Sequence, residues 1–309
     1  MSPALLTMLF SAVASPPPPP IVDGDTTDDF AQVGVLAMRF GEYRESFCSG
    51  TLIHRRWVLT AAHCLSDLDA YVRHYGAEIV FMVGSDMSNG DSITEEVLAV
   101  DWFDHPSYSA QSLTGDIGLV ELDEALSMMP MPLNEEPPSA DWSDEPLTYV
   151  GWGVTSDNGY DSGVKRYAEI PYYEHDEQFI YAYDSGGSNV CYGDSGGAGL
   201  VGSPEQGYAI AGVNSFVYPS CVGGYSGATR VDQYIDWIAE SVPLEENVFT
   251  ADDVVLEDLL SGGESSNTVL PGDGSSSDDK SSGGCTVAPV GGSMSLILLG
   301  ALTVWRRRE

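Results

Sequence analysis

Lysine is nearly missing from this chain: Lys165 and Lys280 are the only two in 309 residues, and Lys and Arg together number 12 against 47 Asp and Glu. The resulting formal charge of -35 repels phosphate backbones, which excludes nucleic acid as a partner and leaves a heavily hydrated surface suited to salty surroundings. Helical periodicity is also scarce. Only VDQYIDWIAESV, residues 231–242, places Val231, Ile235 and Ile238 on one face, ahead of Pro243. A basic start is lacking as well, since no Lys or Arg precedes Arg39. The opening MSPALLTMLFSAVA still ends in a small-x-small pattern before Ser15, so residues 1–14 read as an export leader that is atypical or has its true start upstream.

What remains is apolar and punctuated. Hydrophobic residues make up 43% of the chain, enough to fill a core. From Ile21 to about Val242, stretches such as QVGVLAMRF, RWVLTAA, EIVFMVG, IGLVEL, LTYVGWG and YAIAGVNSFV alternate with Gly, Pro, Asn and Asp. Each is too short and too rich in Val, Ile, Tyr and Phe for an ordinary helix, which predicts an all-β domain of barrel or sandwich type. The irregular SMMPMPLNEEPPSADWSDEP reads as the connection between two β halves. The aromatic cluster PYYEHDEQFIYAYD, residues 171–184, is expected to pack on the second half rather than bind a cofactor.

The ends differ in composition. Residues 15–20, SPPPPP, form a proline-rich propeptide or spacer, because each proline fixes φ and lacks an N–H. The strand-rich domain occupies 21–243, and residues 244–284 are an acidic Ser/Gly-rich linker that cannot bury enough apolar surface to offset its chain entropy. In the last segment, 285–309, residues 286–305 carry no charge and precede Arg306, Arg307 and Arg308, a pattern for a membrane-crossing helix with a cytoplasmic end. Cys285 stands in that tail. The other cysteines, Cys48, Cys64, Cys191 and Cys221, allow three pairings in an exported protein.

Three local patterns carry chemistry: LTAAHC at 59–64, GDIGLVEL at 115–122 and CYGDSGGAG at 191–199. Amide hydrolysis needs a nucleophile, a base to take its proton, and a group that fixes the base in one tautomer. Ser195, His63 and Asp116 supply these three. Glycines around the serine leave the N–H groups of Gly193 and Ser195 free to point at a developing oxyanion. His54, His74, His105 and His175 have no metal-ligand spacing and read as surface or structural histidines. No metal or cofactor is expected; residues 84–96, GSDMSNGDSITEE, hold enough oxygens for Ca²⁺ as an alternative, without a recognisable ligand pattern.

With these motifs in this order, residues 21–242 resemble the chymotrypsin/trypsin-like serine endopeptidases. Gly151-Trp152-Gly153 and His105-Pro106-Ser107-Tyr108 add to the likeness. The resemblance implies two packed six-stranded antiparallel β-barrels with a short C-terminal helix, the cleft lying between them. It implies His63, Asp116 and Ser195 as the triad, Gly193 and Ser195 as the oxyanion hole, and pairings Cys48–Cys64 and Cys191–Cys221. It also implies that a freed Ile21 amine turns inward to pair with Asp194, a charge pair whose loss leaves the partner buried without compensation. Asp23 replaces a glycine expected in Ile-Val-Gly-Gly, and the bond to be cut follows Pro20, so another peptidase would have to trim 15–20.

By the same resemblance, the specificity pocket has the neutral Asn189 at its base and walls from Ser215, Val217 and Ser226. A branched residue at 217 is expected to shorten it and favour small or medium uncharged side chains. The tail from Cys285 resembles myxobacterial-type C-terminal surface sorting signals, with Cys285 as a processing or lipidation site and a plain membrane anchor as the alternative. The expectation is therefore an exported, monomeric endopeptidase tethered to the cell surface or outer envelope, or released from it, and acting on protein or peptide substrates. The competing reading is a protease-like binding module without turnover.

Overall fold

The computed structural model describes residues 21–143 and 146–244. The leader, the proline spacer, nearly all of the acidic linker and the 285–309 segment lie outside the described residues. Among the described residues, no helix is long and apolar enough to cross a membrane.

Two closed antiparallel barrels make up the fold. The first is formed by β2 (Val33–Phe40), β3 (Tyr43–His54), β4 (Trp57–Thr60), β7 (Gly118–Leu122), β6 (Ile93–Asp104) and β5 (Glu78–Gly84), in that order around the ring. The second runs β9 (Arg166–His175), β10 (Phe179–Ala182), β13 (Tyr225–Arg230), β12 (Gly207–Tyr218), β11 (Ala198–Ser203) and β8 (Pro146–Gly151), and β8–β9 pairing closes it. The short β1 (Asp25–Thr26) adds to the outer edge of β9. The predicted all-β, two-barrel architecture is the one observed, and the proline-rich stretch from Ser127 connects β7 to β8.

Strand sequences explain their places. EIVFMVG is buried at five successive positions because both of its faces are covered. Ile79, Phe81 and Val83 enter the main core, whereas Val80 and Met82 pack on Trp152. That indole belongs to the segment leaving β8, yet its Nε1 donates to Val33 O at 3.2 Å, so the second barrel plugs the flank of the first. The main core is likewise shared: Val150, Ala198, Leu200 and Val213 join Leu52, Val58 and Leu119 in one apolar cluster.

Helical structure departs from expectation at two points. The C-terminal helix α2 covers only Ile235–Ser241, since Val231–Tyr234 is spent on a turn in which Tyr234 N donates to Val231 O. An unpredicted helix α1, Leu68–Tyr75, follows the histidine motif. It buries only Leu68 among its residues and stops at Gly76 (φ +66), whose N–H caps Val72 O. Leu68, Tyr71, Val72 and Tyr75 do follow helical spacing, but over only eight residues, too short a run to stand out beside the strand-rich sequence around it.

Candidate active site

His63 sits on a 3₁₀ turn, Ala62–Cys64, directly after β4. The Cys48–Cys64 disulfide fastens this turn to β3, and the Thr60 hydroxyl donates to Ser49 O at 2.8 Å. Asp116 lies just before β7 and is fully buried. One carboxylate oxygen accepts the His63 backbone N–H at 2.9 Å; the other accepts from His63 Nδ1 at 2.8 Å and from the Ser215 hydroxyl. A carboxylate oxygen acting as acceptor makes Nδ1 the donor of this bond and turns Nε2 to the side away from Asp116. Thr229 Oγ1 also donates to Asp116 O at 2.9 Å, so the second barrel grips the aspartate at two points.

Ser195 lies in the tight loop before β11, and that loop is held from both barrels. Ser49 N donates to Ser195 O and Ser49 Oγ to Gly193 O, each at 2.8 Å, while the same hydroxyl accepts from Trp152 N at 2.9 Å. Gly193 has φ +94 and Gly196 φ +82, and a Cβ on Gly196 would come within 2.3 Å of Ser49 O. Only glycine accepts that combination of backbone angle and space. Neither the Gly193 N–H nor the Ser195 N–H has an acceptor among the described residues. Two adjacent unspent donors are what an oxyanion requires.

His63 and Ser195 line one cavity of about 260 Å³, together with Val190, Cys191, Tyr192, Asn214, Ser215, Phe216 and Val217. Apart from His63, no ionisable side chain but the Tyr192 phenol faces it. Ser215 and Val217 are therefore wall residues. Asn189 and Ser226 are buried and not among the lining side chains. Asn189 Nδ2 donates to Cys221 O at 3.1 Å and its Oδ1 accepts Val190 N at 3.0 Å, while Ser226 is cross-strand partner to Val217. The Cys191–Cys221 disulfide ties the nucleophile loop to the segment after β12.

Ile21 is fully buried, packed with Ala182 and Val190, and Val22 exchanges backbone hydrogen bonds with Asn189 (2.9 and 3.2 Å). Asp194 is also fully buried; its carboxylate accepts Gly153 N and Cys191 N, both at 2.7 Å. Burial pushes its pKa up to about 7, against the pull of those two N–H groups and of the Arg166 charge. Gly151 and Gly153 make room for it, since a Cβ on either would lie within 3 Å of Asp194 atoms.

Sequence reasoning passed over Ser49, Arg166, Val190, Tyr192 and Asn214. Arg166 looks like an ordinary surface base in VKRYAEI, yet it is buried and donates to Gly153 O at 3.3 Å and Val164 O at 2.7 Å. Ser49 carried one signal, its position beside Cys48. His105 packs between the Tyr234 and Trp237 rings, and His175 meets the Tyr172 hydroxyl. In the 84–96 loop, Asp86 caps its own turn through Ser88 and Glu96 is ion-paired with Arg39 and Arg44. Among the described residues, the one grouping of potential metal ligands is Cys48, His63 and Cys64, whose two sulfurs are already bonded to each other.

Known proteins are similar to this chain in sequence. The family described as Trypsin matches residues 21–238. Trypsin II-P29 of Gallus gallus is 28% identical over 260 residues, covering 77% of this chain and 96% of that protein. Brachyurin of Leptuca pugilator is 30% identical over 204 residues, covering 62% and 86%. Phenoloxidase-activating enzyme 1 of Spodoptera litura is 29% identical over 244 residues, covering 70% of this chain and 64% of that enzyme. The chain belongs to the trypsin family and is a serine endopeptidase.

Proposed function

We propose that Ser195, His63 and Asp116 are its catalytic triad, and that it cleaves peptide bonds after small or medium uncharged residues. The observation that carries this reading is the His63 Nδ1–Asp116 bond of 2.8 Å beside a cavity that His63 and Ser195 line together. His63 Nε2 takes the proton from Ser195 Oγ as the oxygen bonds to the substrate carbonyl carbon. Asp116 stabilises the imidazolium so formed without accepting its proton. The carbonyl oxygen, now negative, is received by the free N–H groups of Gly193 and Ser195. His63 then protonates the leaving amine, and water releases the acyl group by the same route in reverse.

The cavity supports the uncharged preference. Its walls carry no carboxylate to neutralise Arg or Lys, and Val217 projects a branched side chain into a volume of about 260 Å³. Gly193 and Ser195 would reach full effect once trimming frees the Ile21 amine to neutralise Asp194, whose buried charge has, among the described residues, the more distant Arg166 as counter-charge. Two disulfides support folding in an oxidising compartment. With the leader-like start and the charge-free segment ahead of three arginines, they favour an exported enzyme tethered at the cell surface.

A fluorophosphonate probe on the chain trimmed to Ile21 tests the triad. Labelling at Ser195 that vanishes in His63→Ala is expected; no labelling of trimmed protein would favour the silent binding module. Peptide-library profiling tests the pocket: cleavage after Ala, Val, Thr or Leu should outrun cleavage after Arg or Lys, and the reverse ranking would refute the pocket assignment.

A further inference from the structure

A second cavity, of about 630 Å³, is more than twice the volume of the active-site one. It is lined by Tyr173, Glu174, His175 and Asp176 at the end of β9, by Tyr181 on β10, by Tyr183 and by Tyr225 at the start of β13. The two cavities share a wall. Phe216, which lines the active-site cavity, packs edge-on against Phe179 (5.1 Å) and Tyr181 (6.3 Å). An unpaired strand edge also runs from beside the first cavity to a residue that touches the second. Strand β12 pairs with β11 only as far as Val213, so from Ser215 to Tyr218 it is hydrogen-bonded to β13 alone. Its other edge is open to an extended peptide. That edge leads from Ser215, which touches Asp116, to Tyr218, which packs on Tyr225 at 5.7 Å.

The chemistry of the lining selects a cation. Tyr173 and Tyr183 are paired at 6.4 Å and both exposed, and Tyr181 and Tyr225 are paired at 6.0 Å. The carboxylates of Glu174 and Asp176 stand among them, and neither Lys nor Arg lines the cavity. Asp176 is fixed: its Oδ1 accepts Gln178 N and Phe179 N at 2.7 Å, and its Oδ2 accepts the Tyr181 hydroxyl at 2.8 Å. Burial opposes its charge, but those bonds win and hold it below the usual carboxylate range. Burial, together with the Asp176 bond, pushes Tyr181 up to about 12, so it stays a neutral donor. Glu174 is exposed and belongs to no ion pair among the described residues. Tyrosine faces beside the exposed, unpaired Glu174 carboxylate, with Asp176 held in place and already partnered by Tyr181 and two backbone N–H groups, are the surroundings in which a guanidinium gains both ring stacking and charge pairing.

We propose that this cavity is an accessory subsite that takes a cationic side chain of the polypeptide substrate, arginine ahead of lysine, at a position away from the cleaved bond. The inference rests on the reading of the neighbouring cavity as the catalytic centre. It means that the enzyme rejects basic residues at the scissile bond and selects them elsewhere in the same peptide.

The test uses peptides with alanine at the cleavage position and either arginine or its neutral isostere citrulline at each position on the amino-terminal side. At one position arginine should raise kcat/KM about tenfold over citrulline, through KM. Glu174→Gln and Tyr183→Ala should each reduce that ratio severalfold and leave cleavage of the all-alanine peptide unchanged. Glu240→Gln, an exposed acid on α2, should leave the ratio intact, which separates the cavity from the general acidic field. Binding of the same pairs to full-length Ser195→Ala protein gives a readout independent of turnover. Preferential binding of the arginine peptide that weakens with Glu174→Gln supports the subsite even if the catalytic reading fails. Equal binding and equal cleavage of arginine and citrulline peptides, or a preference untouched by both cavity substitutions, would overturn it.

Discussion

The two barrels present their halves of the active site by different means. In the first, His63 and Asp116 are joined by two direct hydrogen bonds, and the turn that carries the histidine is fastened by a disulfide from the adjacent strand. Every acceptor of that buried carboxylate has a donor. In the second, the Ser195 loop rests on Asp194, a buried carboxylate served by two backbone N–H groups and lifted to about 7. The first carboxylate is thus held by a side-chain partner from its own barrel, whereas the second has backbone N–H donors and, among the described residues, no cation in hydrogen-bond contact. The difference teaches where control of such an enzyme can reside: in the oxyanion loop, leaving the acid–base pair untouched.

The largest expected effect that would break this comparison comes from Asp194→Asn. In chain trimmed to Ile21 it should lower kcat/KM by roughly 10²- to 10³-fold, comparable to losing an oxyanion donor. The low-field proton resonance of the His63–Asp116 pair should stay in place. Loss of that resonance in the variant would show that the two halves are not separable. A second effect concerns the bridges. Removing Cys48–Cys64 or Cys191–Cys221 by paired alanine substitution should cost about 3 kcal/mol of stability in either case, because the loops they close differ little on a logarithmic scale. Chemical denaturation measures this; the activity lost below the unfolding transition should be greater for the second bridge, which borders the nucleophile loop.

A third effect is a pH dependence confined to untrimmed protein. Asp194 holds its proton more tightly in the fold, near pH 7, than in the unfolded chain, near 3.8. Its contribution is thus fully present below about pH 4, declines as pH rises through about 7, and is then gone. Asp194→Asn should flatten that slope in melting curves, and trimming should reverse it by supplying the ammonium partner. An unchanged slope in Asp194→Asn would assign it to other groups.

How much of this was legible in the sequence follows from how locally each feature is written. His63, Asp116 and Ser195 stand in contiguous motifs, and EIVFMVG or YAIAGVNSFV declare themselves as strands by apolar runs. The roles of Ser49 and Arg166 were not legible, because one depends on a partner 144 residues away and the other on burial that a charged side chain does not advertise: Ser49 bonds Gly193, and Arg166 vanishes beneath Gly153. The aromatic stretch 171–184 showed that it would pack on the second barrel but not that its rings would surround a cavity. That outcome depends on Tyr225, brought in by β13 from outside the stretch.

The account turns on the claim that the oxyanion loop becomes competent only when Ile21 is freed to meet Asp194. The most direct measurement is the affinity of a peptide boronic acid, which forms a tetrahedral adduct on Ser195, for the full chain and for the chain trimmed to Ile21. The account predicts binding at least about a hundredfold tighter after trimming. Equal affinity before and after would contradict it.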